Sequence, residues 1–133
     1  MRKNISSGAK WEDIVGYSRA VRIGNIIEVA GTTAMDGDQI IGENDAYAQT
    51  IFIFNKIKSA LEEAGASMSD VIRTRIFVTD ISQWEAIGKA HGAFFKTIKP
   101  AATMVEVSRL IDDRLLVEIE VSAVIIDNEL LNS

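Results

Sequence analysis

Val71-Ile72-Arg73-Thr74-Arg75-Ile76-Phe77-Val78-Thr79 is the stretch whose reading decides the fold. It is rich in β-branched residues, so it reads as an interior strand. Period-two alternation sets Arg73, Arg75 and Phe77 on the face opposite Ile72, Thr74, Ile76 and Val78. On its N-terminal side, Tyr47, Ile51, Phe54, Ile57, Leu61 and Ala64 recur at steps of three and four, which predicts a helix. Asn44 or Asp45 is placed to cap it and Gly65 to end it. On the C-terminal side, Ser82 and Glu85 have the spacing of a capping box, and Trp84, Ile87, His91, Phe94 and Ile98 repeat at helical spacing as far as Pro100.

Further out, Ala20-Val21-Arg22-Ile23 and Ile26-Ile27-Glu28-Val29-Ala30-Gly31 flank Gly24-Asn25 and read as a hairpin. Thr103–Val107 and Val117–Ile125 alternate around the polar connection Asp112-Asp113-Arg114 and complete the strands. The order strand, strand, helix, strand, helix, strand, strand has too few helices for a doubly wound sheet. It predicts an α+β fold, a single mixed sheet with two helices on one face. No further layer remains to cover the other face, and neighbouring copies of the same chain are the economical cover.

Composition narrows the function. The 133 residues are 47% hydrophobic, enough for the core of one domain over 1–133. With 14 Lys+Arg against 19 Asp+Glu the net charge is −5 and no basic cluster stands out, which argues against nucleic acid. The chain has no cysteine, so disulfides and thiolate chemistry are excluded, and its single histidine excludes a multi-histidine metal site. No segment approaches the roughly 18 apolar residues of a membrane span, and nothing at the N-terminus reads as a signal, so no membrane contact and a cytoplasmic location are expected. Phosphate loops, serine elbows and paired histidines are missing, and no cofactor is expected.

Along the last strand, Glu118, Glu120 and Ser122 project opposite Val117, Ile119, Val121 and Ala123. Two carboxylates on one strand face are either a solvated surface or part of a cleft, and Arg73 and Arg75 pose the same choice with cations. His91 lies on the apolar stripe of its helix, where a packed histidine with one satisfied nitrogen is the simplest reading.

Three stretches together resemble the YjgF/RidA family, the reactive-intermediate deaminases, over about residues 14–126. They are Gly16-Tyr17-Ser18 through Gly24-Asn25 to Ala30-Gly31; Arg73–Asp80 with the helix ending Ala93-Phe94-Phe95; and Pro100-Ala101, Val105-Glu106-Val107, Arg109-Leu110 and Val117-Glu118-Ile119-Glu120. The resemblance implies a chorismate-mutase-like fold and a homotrimer with clefts between subunits. It also implies cofactor-free hydrolysis of enamines or imines, with Glu118 positioning the attacking water and Tyr17 and Gly31 binding substrate. The family's carboxylate-binding arginine belongs directly after Pro100-Ala101, where this chain has Ala102. A hydroxyl residue is common where Ala30 stands, and an asparagine where Gly88 stands. The chain thus resembles arginine-lacking branches, and 2-iminopropionate is a doubtful substrate. Arg75, at a position commonly neutral in the family, is a candidate relocated anchor for a small ligand, a carboxylate among the candidates. Some relatives are described as endoribonucleases, which the negative charge disfavours. The alternatives to an enzyme are a non-catalytic small-ligand sensor or carrier and a chaperone-like interaction protein.

Overall fold

The computed structural model describes residues 1–126; residues 127–133, the end of the expected domain, lie outside the described residues. The strands are β1 (Arg2–Ile5), β2 (Ala20–Ile23), β3 (Ile26–Thr32), β4 (Met35–Asp36), β5 (Gln39–Ile40), β6 (Val71–Val78), β7 (Ala101–Glu106) and β8 (Val117–Val124). The helices are α1 (Lys10–Val15), α2 (Ala46–Glu63) and α3 (Trp84–Phe95). Six strands form one mixed sheet in the order β1-β2-β3-β8-β6-β7, and β4 and β5 make a separate small hairpin. β6 and β7 run parallel, joined across α3, while the other neighbouring pairs in the large sheet are antiparallel.

The helices α2 and α3 pack together, with α2 over β3 and β8. Ile27, Val29, Ile76, Val78, Val117, Ile119, Val121 and Ala123 of the sheet meet Ile53, Phe54, Ile57 and Leu61 of α2 and Ile87 and Phe95 of α3, all buried. Full burial of each large side chain stabilises by about 1.5–3 kcal/mol, so this face fixes the layer order. The cap of α2 is Asp45, whose carboxylate accepts the Ala48 N–H at 3.0 Å. Tyr47, expected on the apolar stripe, is turned outward, and Gln49, Thr50 and Ile53 are buried instead.

Gln49 is fully buried because it ties two loops to α2. Its Nε2 donates to the carbonyls of Gly42 (3.2 Å) and Arg114 (2.9 Å), and its Oε1 accepts from the Leu116 N–H (2.8 Å). Gln49→Ala leaves three backbone groups without these partners, and a loss of about 2–4 kcal/mol is expected from urea denaturation. A midpoint unchanged from wild type would contradict that assignment.

Three other local expectations are corrected. The Ser82/Glu85 capping box does not form: Asp80 accepts the Ser82 N–H at 3.0 Å, a 3-10 turn covers Ile81–Gln83, and α3 stops at Phe95 rather than running to Pro100. Ile72 was expected beside Thr74 but is exposed, because a bulge between Val71 and Arg73 shifts the register against β8 and returns Val71 to the core. His91 packs against Phe54 and Phe95, its Nε2 lies 3.0 Å from the Thr74 hydroxyl, and burial lowers its pKa, as suits a neutral core imidazole.

β1 and α1 carry little sequence signal. Only Ile5 of β1 is buried, and α1 turns Trp11, Ile14 and Val15 outward while Glu12 points inward. The Glu12 carboxylate accepts the Ser7 N–H at 3.0 Å and the Ser7 hydroxyl. Burial alone would raise its pKa, but these bonds outweigh burial and lower it.

Candidate functional site

The sheet face away from α2 and α3 carries the polar residues. Alternation along β8 brings Glu118, Glu120 and Ser122 to it, all half-buried. Opposite them on β6 stand Phe77, Arg75 and Arg73, paired in register with Glu118, Glu120 and Ser122. Arg75 therefore does face this side, and its carboxylate partner is Glu120: Nε lies 3.7 Å from Oε1, and Nη1 reaches the Ser122 hydroxyl at 3.4 Å. Both side chains of the pair are more than a third exposed, so it contributes little to stability, about 0–1 kcal/mol.

On the other side of β8 the partner is β3, and here the ladder is broken. Val29 pairs with Val121 and Thr32 with Ile119, so Ala30 and Gly31 together span the position facing Glu120. The bulge brings the Gly31 Cα against Glu118. A Cβ built on Gly31 would lie 2.5 Å from Oε2 of Glu118 and 3.1 Å from its Cδ, so a side chain at 31 and this carboxylate position exclude each other. Burial raises the Glu118 pKa; Arg19 pulls it down and Glu120 pushes it up, and the net shift is upward.

Arg19 was not singled out from the sequence. It directly precedes β2, its N–H bonded to the Ile5 carbonyl and its carbonyl to the Ala30 N–H. Its Nη2 donates to the Gly31 carbonyl at 2.5 Å, and its Nε is buried without a partner. The ring of Tyr17 lies 5.8 Å from its guanidinium carbon. Burial lowers its pKa, partly offset by Tyr17, Glu12 and Glu118. A signal was available: carrying the hairpin register Ile23–Ile26 and Ala20–Val29 back one step pairs Arg19 with Ala30, on the face shared with Val21 and Glu28.

A groove of about 700 Å³ opens on this face, lined by Tyr17, Val21, Glu28, Ala30, Arg75 and Glu120 among others. The structure thus brings Tyr17 and Arg75 together in the groove. Glu118 and Gly31 form a second contact just outside its lining, and Arg19 bridges the two, stacked near Tyr17 and bonded to Gly31. Ala102 stands on the edge strand β7, exposed and in register with Thr74, and supplies no charge. Gly88 is exposed on α3 with open space where a side chain would begin. Among the described residues no helix is long and apolar enough to cross a membrane.

A six-stranded mixed sheet with two helices on one face and a polar, bulged opposite face defines an α+β protein of one recurrent type, and comparison with known proteins places it. The sequence profile of the family described as Endoribonuclease L-PSP matches residues 8–125. An uncharacterised protein of Streptomyces coelicolor is 40% identical over 121 residues, 91% of this chain and 90% of that protein. A RutC family protein of Pyrococcus abyssi is 38% identical over 108 residues, 80% of this chain and 84% of that protein. The crystal structure of a YjgF family member from Mycobacterium tuberculosis, 50% identical, superposes with a TM-score of 0.84 over 94% of this chain and 100% of that one. The chain belongs to the YjgF/RidA family.

Proposed function

We propose that this chain is a homotrimer that binds a small reactive metabolite in clefts between subunits and hydrolyses an enamine or imine there by water attack. The observation that carries the reading is the half-buried Glu118 carboxylate, seated where only glycine at 31 leaves room for it and held above the usual carboxylate pKa by burial. Such a group, more basic than a solvated glutamate, suits a general base. Glu118 takes a proton from water as its oxygen bonds to the imine carbon. Returned to the imine nitrogen, that proton completes a carbinolamine; Glu118 then takes the carbinolamine's hydroxyl proton and passes it to nitrogen as the C–N bond breaks, so a carbonyl compound and ammonia leave. Water is the only co-reactant, so no cofactor or metal is needed. Gly31 leaves room for the base, Tyr17 lines the approach, and Arg75 offers a cation from the neighbouring strand. Release of ammonia from small imines generated in situ tests the reading: wild-type protein accelerates it, and no acceleration with any imine contradicts catalysis.

What the monomer leaves open supports the assembly. Among the described residues neither α2 nor α3 covers the polar sheet face, and Ile72 and Val105 at its β6–β7 edge are 54% and 43% exposed. Burial against other copies removes that surface from water. Light scattering in dilute buffer is expected to give a trimer, and a monomer would contradict the assembly. Because Arg75 bonds within its own chain to Glu120 and Ser122, Arg75→Ala is expected to keep the trimer and to weaken binding of small carboxylates in calorimetry. A variant that dissociates would make Arg75 an assembly residue instead.

A further inference from the structure

We propose that Arg19 is the positioning residue for Glu118: through the Gly31 carbonyl it holds the β3 bulge in place, and so fixes both the seat and the charged state of the Glu118 carboxylate. The inference rests on the reading of Glu118 as the functional carboxylate, but its test reads Glu118 directly.

Geometry carries the argument. The bulge at Ala30-Gly31 takes two residues out of the β3–β8 ladder, which leaves the Gly31 carbonyl free to accept from Arg19. That bond, and the Ala30 N–H to Arg19 carbonyl bond beside it, tie both bulge residues to the one residue that leads into the neighbouring strand β2. Glu118 then fits against the bare Gly31 Cα. A guanidinium suits this place because it keeps its charge when buried and spreads several N–H donors over a plane, so one can hold a carbonyl while the charge acts on a carboxylate nearby. Among the described residues the direct ion pairs are Arg75–Glu120 and Arg114–Asp112, so Arg19 acts on Glu118 through space and through Gly31, not by a salt bridge.

The other charges around the pair do not replace it. Glu120, on the same strand, repels the Glu118 charge. Glu12 of α1 and Tyr17 lie near Arg19 and favour its cation. Lys56 of α2 senses Arg19 but gives its Nζ to the carbonyls of Thr33 (3.0 Å) and Met35 (2.8 Å). Arg19 is thus the cation that holds the Glu118 pKa down against burial and Glu120.

The test is a 13C NMR titration of the glutamate side-chain carboxyls in wild type, R19Q and R19K, with the Glu118 signal assigned by its loss in E118Q. In R19Q the Glu118 midpoint is expected to rise by about one pH unit, the usual scale for loss of a nearby opposite charge. In R19K, which keeps the charge but not the fork, it is expected between wild type and R19Q. If R19Q does not fold, a rise of the midpoint in R19K carries the proposal. A Glu118 midpoint equal to wild type in every folded variant overturns it, because a residue that merely braced the β2–β3 hairpin would lower the melting temperature without moving the titration. Absence of imine hydrolysis by the wild type would count against catalysis and leave this shift as predicted.

Discussion

Wild-type protein is expected to leave 2-iminopropionate decaying at close to its uncatalysed rate, followed by ammonia release. The substrate carries a carboxylate that must leave water to enter a cleft, and a cation has to replace its lost hydration. At the position directly after Pro100-Ala101 the chain has the methyl group of Ala102, exposed on an edge strand. Hydrogen bonds to a charged group contribute about 1.5–3 kcal/mol each. The loss of an arginine fork therefore lowers the rate by roughly a hundredfold or more, at tenfold per 1.36 kcal/mol. Arg75 offers a cation for binding a carboxylate but does not restore that geometry, since it stands on β6, one strand in from Ala102 on β7, and is shared with Glu120 and Ser122. Turnover equal to that of an arginine-containing relative would show that another cation, Arg19 or Arg75, takes the carboxylate directly.

Gly31→Ala is expected to remove at least about a hundredfold of any hydrolytic rate, the scale of an ångström-sized misplacement, while the fold survives. The backbone at 31 lies outside the left-handed region, so alanine meets no conformational penalty there. What it meets is the Glu118 carboxylate, at 2.5 Å from the new Cβ. The carboxylate is the end of a flexible side chain and swings away, so the variant keeps its circular dichroism and its oligomeric state. An alanine variant with full activity would show that the seat of Glu118 against Gly31 has no bearing on function.

The faces of the sheet were legible because β8 alternates without interruption from Val117 to Val124, and because Ile76, Val78 and the α2 stripe demand one common core. The edges of that reading failed where the backbone departs from period. The bulge in β6 exposed Ile72, and the bulge in β3 placed Gly31 beside Glu118, a contact that alternation alone does not predict. Glu118, Tyr17, Gly31 and Arg75 were singled out as candidates because two carry charges on a strand and two stand in a family motif. Arg19 was not singled out because it meets Glu118's surroundings through the Gly31 backbone carbonyl on the intervening strand β3, and a lone arginine before an apolar strand looks like a solvated cation. Gln49 was missed for a related reason: an amide on the buried side of a helix breaks the apolar pattern, and only the loops it ties, at Gly42 and Arg114–Leu116, explain it.

The measurement that bears most directly on Glu118 as the base is the pH–rate profile of imine hydrolysis for wild type and Glu118→Gln. The amide cannot accept the water proton, so the variant is expected to lose about 10²–10⁴-fold. In wild type the rate is expected to fall as pH drops through a midpoint above the ordinary glutamate value of 4.5, since the folded-state pKa is raised and the base must be ionised. The same upward shift means that ionising Glu118 opposes folding: the folded state holds the proton longer, so stability declines as pH rises through that window. Glu118→Gln is free of that cost and is expected to be at least as stable as wild type at pH 7. A folded Glu118→Gln protein that retains the wild-type rate, with an unchanged acid limb, would contradict the account.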